Sequence, residues 1–261
     1  MDKNLIDIEL FVLDMDGTVY IGDDPIPGAF DFIRAVDKKP NCNYIFFTNN
    51  ASKVPSVYVE KLAKMNWHVT EDKIVTAGDV CAQFLQETYS GAKIFLNGTP
   101  VLVENWKAKG LNLVDADPDV CVQSFDTTLT YEKLDRICHY IRNGATFIAT
   151  HKDINCPTEY GFMPDCGAMC SLIEASTGVA PRYLGKPYKE TVDMITSITG
   201  VPAEKMAFVG DRLYTDVATG VNNGAKGILV LTGESDMTTV EQSDVKPTYI
   251  FDSLAQMQDY L

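Results

Sequence analysis

Short unbroken apolar runs alternate along this chain with segments whose apolar residues recur every three or four positions. The first pattern marks strands buried on both faces of a parallel sheet, and the second marks amphipathic helices. Residues 10–13 open the series as a strand; 29–38 follow as a helix, with Phe30, Ile33 and Val36 at core spacing. Between them, 19–27 is turn-rich, carrying Gly22, Asp23, Asp24, Pro25 and Pro27. A second buried strand spans 43–47, a helix 56–65 and a third strand 74–76. This β-α-β-α-β order predicts a parallel sheet with right-handed crossovers.

The alternation continues through a middle block: helix 80–88, strand 93–96, helix 100–109, strand 120–124, helix 131–143, strand 146–149 and helix 168–176. Residues 150–165 read as a polar loop. A third stretch returns to the opening pattern, with a helix at 190–199, strand 206–209, helix 216–223, strands 227–231 and 249–251, and a closing helix from 253. The middle block is either a second α/β domain inserted into the first or part of one larger sheet, and periodicity fits both. No repeat of solenoid period and no low-complexity linker interrupts the chain.

The polar residues that end the strands carry the chemistry. The first strand stops at Asp14-Met15-Asp16-Gly17-Thr18, the second at Thr48-Asn49-Asn50, and 206–209 at Gly210-Asp211-Arg212-Leu213-Tyr214-Thr215-Asp216; Lys186 precedes a helix. Open α/β sheets bind ligands at the carboxyl ends of their strands. Two carboxylates two residues apart repel, and a divalent cation relieves the repulsion. Gly17 frees the chain to turn away. Taken singly, each signal has a plain alternative: an Asp-Gly turn, a strand-end hydroxyl, a solvated lysine, and for Asp216 a helix N-cap as readily as a metal helper. As an ordered set they supply what phosphoryl transfer to a carboxylate requires: a nucleophile, a bridging Mg²⁺, a hydroxyl and N–H groups for the phosphoryl oxygens, and a lysine to offset charge.

Composition narrows the class. At 261 residues the chain can bury a full core and has room for two domains. A formal charge of −14 offers no basic footprint for nucleic acid. No apolar run approaches membrane-spanning length, and Met1-Asp2-Lys3-Asn4 does not open a signal peptide. Seven scattered cysteines (42, 81, 121, 138, 156, 166 and 170), odd in number, fit reduced thiols of a cytoplasmic protein. Cys166 and Cys170 have helical spacing but no second Cys/His pair, which argues against zinc. Neither nucleic acid nor a membrane is therefore an expected partner, and oligomeric state is left open.

The set Asp14-Met-Asp-Gly-Thr18, Thr48, Lys186 and Gly210-Asp-Arg-Leu-Tyr-Thr-Asp216 resembles the four motifs of the haloacid dehalogenase-like hydrolases. Thr48-Asn-Asn-Ala-Ser52, the 210–216 motif and the segment 156–168 resemble the NagD-like, subfamily IIA phosphatases along nearly the whole chain. The resemblance implies a Rossmann-like α/β core at 1–77 and 182–261, with an inserted α/β cap at 78–181. It implies a Mg²⁺-dependent phosphatase of small phosphomonoesters, working through an aspartyl-phosphate. Asp14 would then be nucleophile and metal ligand, and Asp16 acid–base residue with its carbonyl on the metal. Thr48 and Asn49 would hold phosphate, Lys186 would orient it, and Asp211 would ligate Mg²⁺ with Asp216 in support. One departure is His151-Lys152-Asp153, where relatives carry an Asn-Pro-Asp-like triplet; it bears on substrate identity, not on the reaction. Within 150–165, Lys152, Asp153, Asn155 and Glu159 are polar groups suited to substrate selection, against the plainer reading of a surface loop. A receiver-like signalling module uses a similar inventory but is shorter and needs no residue like Asp16. A phosphotransferase is the further alternative.

Overall fold

The computed structural model describes residues 4–158 and 161–261, and the chain divides into two compact units. One comprises the residues up to Thr48, Ser56–Val75 and Lys186–Leu261; the other comprises Asn49–Pro55 and Thr76–Gly185. Among the described residues no helix is long and apolar enough to cross a membrane.

The first unit is built on a six-stranded sheet in the order Tyr249–Phe251, Lys226–Val230, Met206–Gly210, Leu10–Leu13, Asn43–Thr48, Ile74–Thr76. The pairings among the first five of these are parallel. Leu10–Leu13 sits inside with all four residues buried, as its unbroken apolar run predicts. From it the chain winds to one side through Asn43–Thr48, and later returns on the other through Met206–Gly210. The strand order thus reverses beside Leu10–Leu13, the switch point at which such sheets form their ligand crevice. Helix Ala29–Lys38 buries Ala29, Phe32, Ile33 and Val36, one stripe at helical spacing. Phe32 meets Phe11 edge to face with centroids 5.3 Å apart. Phe30, expected in the core, instead lies partly buried and stacks on Trp67 at 4.7 Å.

The second unit has its own parallel sheet, ordered Arg182–Tyr183, Thr146–Ala149, Val120–Gln123, Ile94–Asn97. Its core includes Phe95, Cys121, Phe125, Ile137, Phe147 and Ile173. Helix Ala77–Thr88 starts three residues before the expected boundary, because Thr76 and Asp79 form a reciprocal capping box. Helix Cys166–Thr177 likewise starts early, capped by the Asp165 carboxylate on the Cys166 N–H.

Several short elements among the described residues escaped the sequence pattern. The 150–165 loop contains an antiparallel hairpin, Asn155–Thr158 with Gly161–Pro164, and the turn-rich 19–27 segment contains another, Tyr20–Ile21 with Asp24–Pro25. Each includes proline and is largely exposed, so neither shows apolar alternation. Arg182–Tyr183 is only two residues long, and helix Met237–Gln242 is short and set by an Asp236–Thr239 capping box. The expected helix at 216–223 is divided, with a π turn at Leu213–Val217 leading into Ala218–Asn222.

Candidate active site

Leu13 is in register with Val209 on one side and Phe46 on the other, so Asp14, Asp211 and Thr48 reach the same edge of the first unit's sheet. The Asp14 N–H donates to the Val209 carbonyl at 2.8 Å and continues the ladder one step past the strand. Buried Lys186 places its Nζ 2.5 Å from Asp14 Oδ1 and 2.5 Å from Asp216 Oδ1. Asp216 is therefore not the N-cap of its helix: its other oxygen accepts from the Arg212 N–H at 3.1 Å. Gly210 lies against Asp216 so closely that a Cβ there would overlap the carboxylate.

Charge is unbalanced in this cluster. Three carboxylates, Asp14, Asp211 and Asp216, offer ligand atoms that all lie within 4.8 Å of one another, and one ammonium faces them. Burial, reinforced by Asp216 and Asp211, pushes the Asp14 carboxyl well above its usual range despite Lys186. Burial and Asp216 push Asp211 up to about 6. For Lys186 burial works the other way, but Asp14 and Asp216 outweigh it and hold the ammonium charged. Asp211 Oδ2 accepts from the Glu234 N–H at 2.7 Å, whereas Oδ1 is buried with no hydrogen-bond partner. A carboxylate with an orphaned oxygen, clustered with two more carboxylates, fits a hard divalent cation, which takes oxygen ligands and supplies the missing positive charge.

Asp16 lies outside that group. Its carboxylate is half-exposed, 3.5 Å from the Tyr20 hydroxyl and 3.7 Å from Lys61 Nζ. Lys61 also stands over the Tyr20 ring at 3.8 Å. Burial, with Asp16 and other neighbours, raises the Tyr20 phenol, so it stays protonated and donates. Gly17 adopts φ +84°, as the sharp turn requires, and a Cβ there would stand 2.6 Å from Asp211 Oδ2.

The other predicted residues lie in the second unit. Asn49 and Asp153 are both buried, and the Asn49 amide donates to the two oxygens of Asp153 at 3.2 and 3.3 Å. Lys152 is exposed, with Nζ 5.9 Å from the Tyr183 ring centroid, and Asn155 is exposed at the start of its hairpin strand. Glu159 lies outside the described residues. The neighbouring His151 is fully buried, with Nε2 2.8 Å from Asp165 and Nδ1 3.0 Å from the Thr150 hydroxyl. Burial disfavours its charge, but Asp165 and Cys166 overcome that and lift it to about 9.

Sequence reasoning passed over the loop after Lys226–Val230. There Thr232 Oγ1 donates to the Gly17 carbonyl at 2.6 Å, and Glu234 pairs with Arg212 at 2.8 Å while its N–H serves Asp211. The available signal was a polar strand end, Thr232-Gly233-Glu234, beside the ends already singled out.

Comparison with known proteins agrees with this geometry. Residues 11–112 match the family profile of haloacid dehalogenase-like hydrolases, and 183–257 match a second profile of the same kind. An acid sugar phosphatase of Staphylococcus aureus is 36% identical over 245 residues, 94% of each chain. The crystal structure of a 4-nitrophenylphosphatase from Thermotoga maritima superposes with a TM-score of 0.94 at 44% identity, covering 98% of both chains. NagD from E. coli K-12 superposes at 0.89 with 27% identity, covering 95% of this chain and 98% of that one. The chain belongs to the haloacid dehalogenase-like hydrolases, as a NagD-like phosphatase that hydrolyses phosphomonoesters.

Proposed function

We propose that the protein is a Mg²⁺-dependent phosphatase of small phosphorylated metabolites, sugar phosphates foremost, working through an aspartyl-phosphate on Asp14. One observation carries the reading: Asp14, held by Lys186, shares a buried acidic cluster with Asp216 and with Asp211, whose Oδ1 has no partner. Asp14, Asp211 and the Asp16 carbonyl would hold the cation, with Asp216 in support. Mg²⁺ supplies charge neutralisation at the phosphoryl oxygens, which lets a carboxylate approach an anion. Lys186 fixes Asp14 through one oxygen and leaves the other to attack phosphorus; Thr48 and Asn49 take phosphoryl oxygens. Asp16, half-exposed and hydrogen-bonded to Tyr20, protonates the departing alkoxide and then takes the proton of the water that cleaves the aspartyl-phosphate.

Residues 78–181 act in this reading as the inserted cap that selects the ester, with exposed Lys152 and Asn155 as its candidate contacts and buried Asp153 holding the Asn49 amide. Support for sugar phosphates comes from the Staphylococcus aureus relative. A cytoplasmic location fits seven cysteines that are all free thiols. The test ranks sugar phosphates, nucleotides, glycerol phosphates and pyridoxal phosphate by kcat/KM with Mg²⁺, then repeats the best one in chelator. Released phosphate without an added acceptor, highest for a sugar phosphate and abolished by chelation, is the expected result. Full turnover in chelator would refute the metal assignment, and an absolute need for an acceptor would indicate a phosphotransferase.

A further inference from the structure

The first unit's sheet sends one more strand end to this site, and its residues touch both Asp211 and the turn that follows Asp14. Thr232 Oγ1 donates to the Gly17 carbonyl at 2.6 Å and ties the Asp14–Gly17 turn to the loop after Lys226–Val230. Two residues on, the Glu234 N–H donates to Asp211 Oδ2 at 2.7 Å, and the Ser235 N–H donates to the Asp211 carbonyl at 3.1 Å. Between them, Gly233 lies so close that a Cβ would overlap the Asp211 carboxylate, while Gly17 closes from its own side at 2.6 Å. The Glu234 side chain also pairs with Arg212, next to Asp211 in the chain.

The carboxylate of Asp211 is therefore clamped between two glycine backbones with one oxygen consumed by an N–H, and only Oδ1, the buried atom without a partner, is left to a ligand. A carboxylate free to rotate would offer the cation either oxygen and would have to be ordered on binding, at a cost in affinity. Second-sphere groups that orient a ligating side chain are worth roughly 10–100-fold in metal affinity. We propose that Thr232, Gly233 and the Glu234 N–H are positioning residues that preset Asp211 Oδ1 for the divalent cation and lock the Asp14–Gly17 turn at its side. This inference rests on the metal assignment proposed above.

The test is calorimetric titration of MgCl₂ into the full-length, metal-free protein without substrate, for the wild type, Thr232→Val, Thr232→Ser and Gly233→Ala. Thr232→Val keeps the shape and removes the hydroxyl; Thr232→Ser restores it. The expected result is a Mg²⁺ Kd weaker by roughly 10-fold or more in Thr232→Val and Gly233→Ala, recovered in Thr232→Ser. In turnover the Mg²⁺ half-saturation should rise in parallel, with KM for the ester unchanged at saturating Mg²⁺. Wild-type Mg²⁺ affinity in both Thr232→Val and Gly233→Ala, including the case where their melting temperatures fall, would overturn the positioning role alone. No Mg²⁺ binding by the wild type would overturn the metal assignment, and this inference with it.

Discussion

Two aspartates separated by one residue have unlike surroundings. Asp14 is enclosed by Lys186 and two more carboxylates, whereas Asp16 is half-exposed beside Tyr20 and Lys61. That contrast suits a division of labour in which one carboxylate attacks and the other moves protons. Loss of Asp16 should then depend on the leaving group. An alkyl phosphate needs its oxygen protonated, and Asp16→Ala should lower its kcat/KM by roughly 10²–10⁴-fold. An aryl phosphate departs without protonation and should lose far less. Comparing kcat/KM on a sugar phosphate and a nitrophenyl phosphate checks this, and equal losses, with phosphorylation shown to limit both, would remove the acid role. At this scale the sequence named the carboxylates and the lysine, because each ends a strand or precedes a helix in a recognisable string. It could not show the orphaned oxygen of Asp211 or the hydroxyl of Thr232 on Gly17, since both depend on where strands distant in sequence become neighbours.

Strands and helices with clear periodicity were legible; the segments that lack it were not. Residues 10–13, 29–38, 74–76, 146–149 and 249–251 form the expected elements within their expected bounds. Helix starts were displaced where side-chain caps at Thr76 and Asp165 extend the first turn. The 150–165 segment shows the cost of reading polarity as exposure. By sequence Asp153 reads with Lys152 and Asn155 as a polar loop residue, yet it is buried and holds the Asn49 amide, 104 positions earlier in the chain. Its two neighbours are exposed. The three should therefore separate on mutation. Alanine at Lys152 and Asn155 should reorder kcat/KM among natural phosphate esters and leave a small aryl phosphate little changed. Alanine at Asp153 removes two oxygens that accept from the buried Asn49 amide and should weaken all substrates together. Steady-state kinetics on the same ester panel tests both, and a Lys152/Asn155 variant that keeps the wild-type order would put specificity elsewhere.

At the scale of the molecule, one switch point organises the first unit. The sheet reverses its strand order beside Leu10–Leu13, so strand ends from both the amino-terminal and the carboxy-terminal stretches reach Asp14. That arrangement follows from β-α-β alternation and was readable as a parallel α/β sheet before any contact was known. The order of the strands was not, and for the middle block periodicity fitted a second domain and a larger single sheet alike, because periodicity reports which segments are buried and not which neighbours bury them. Central to the account is covalent attack by Asp14, and a substitution that keeps its shape tests it most directly. Asp14→Asn removes the attacking charge, which would also help to hold the cation, while retaining the side-chain volume. With Mg²⁺ and the best ester of the panel, a folded Asp14→Asn protein should turn over at background rate; near-normal turnover by that folded variant would contradict the mechanism.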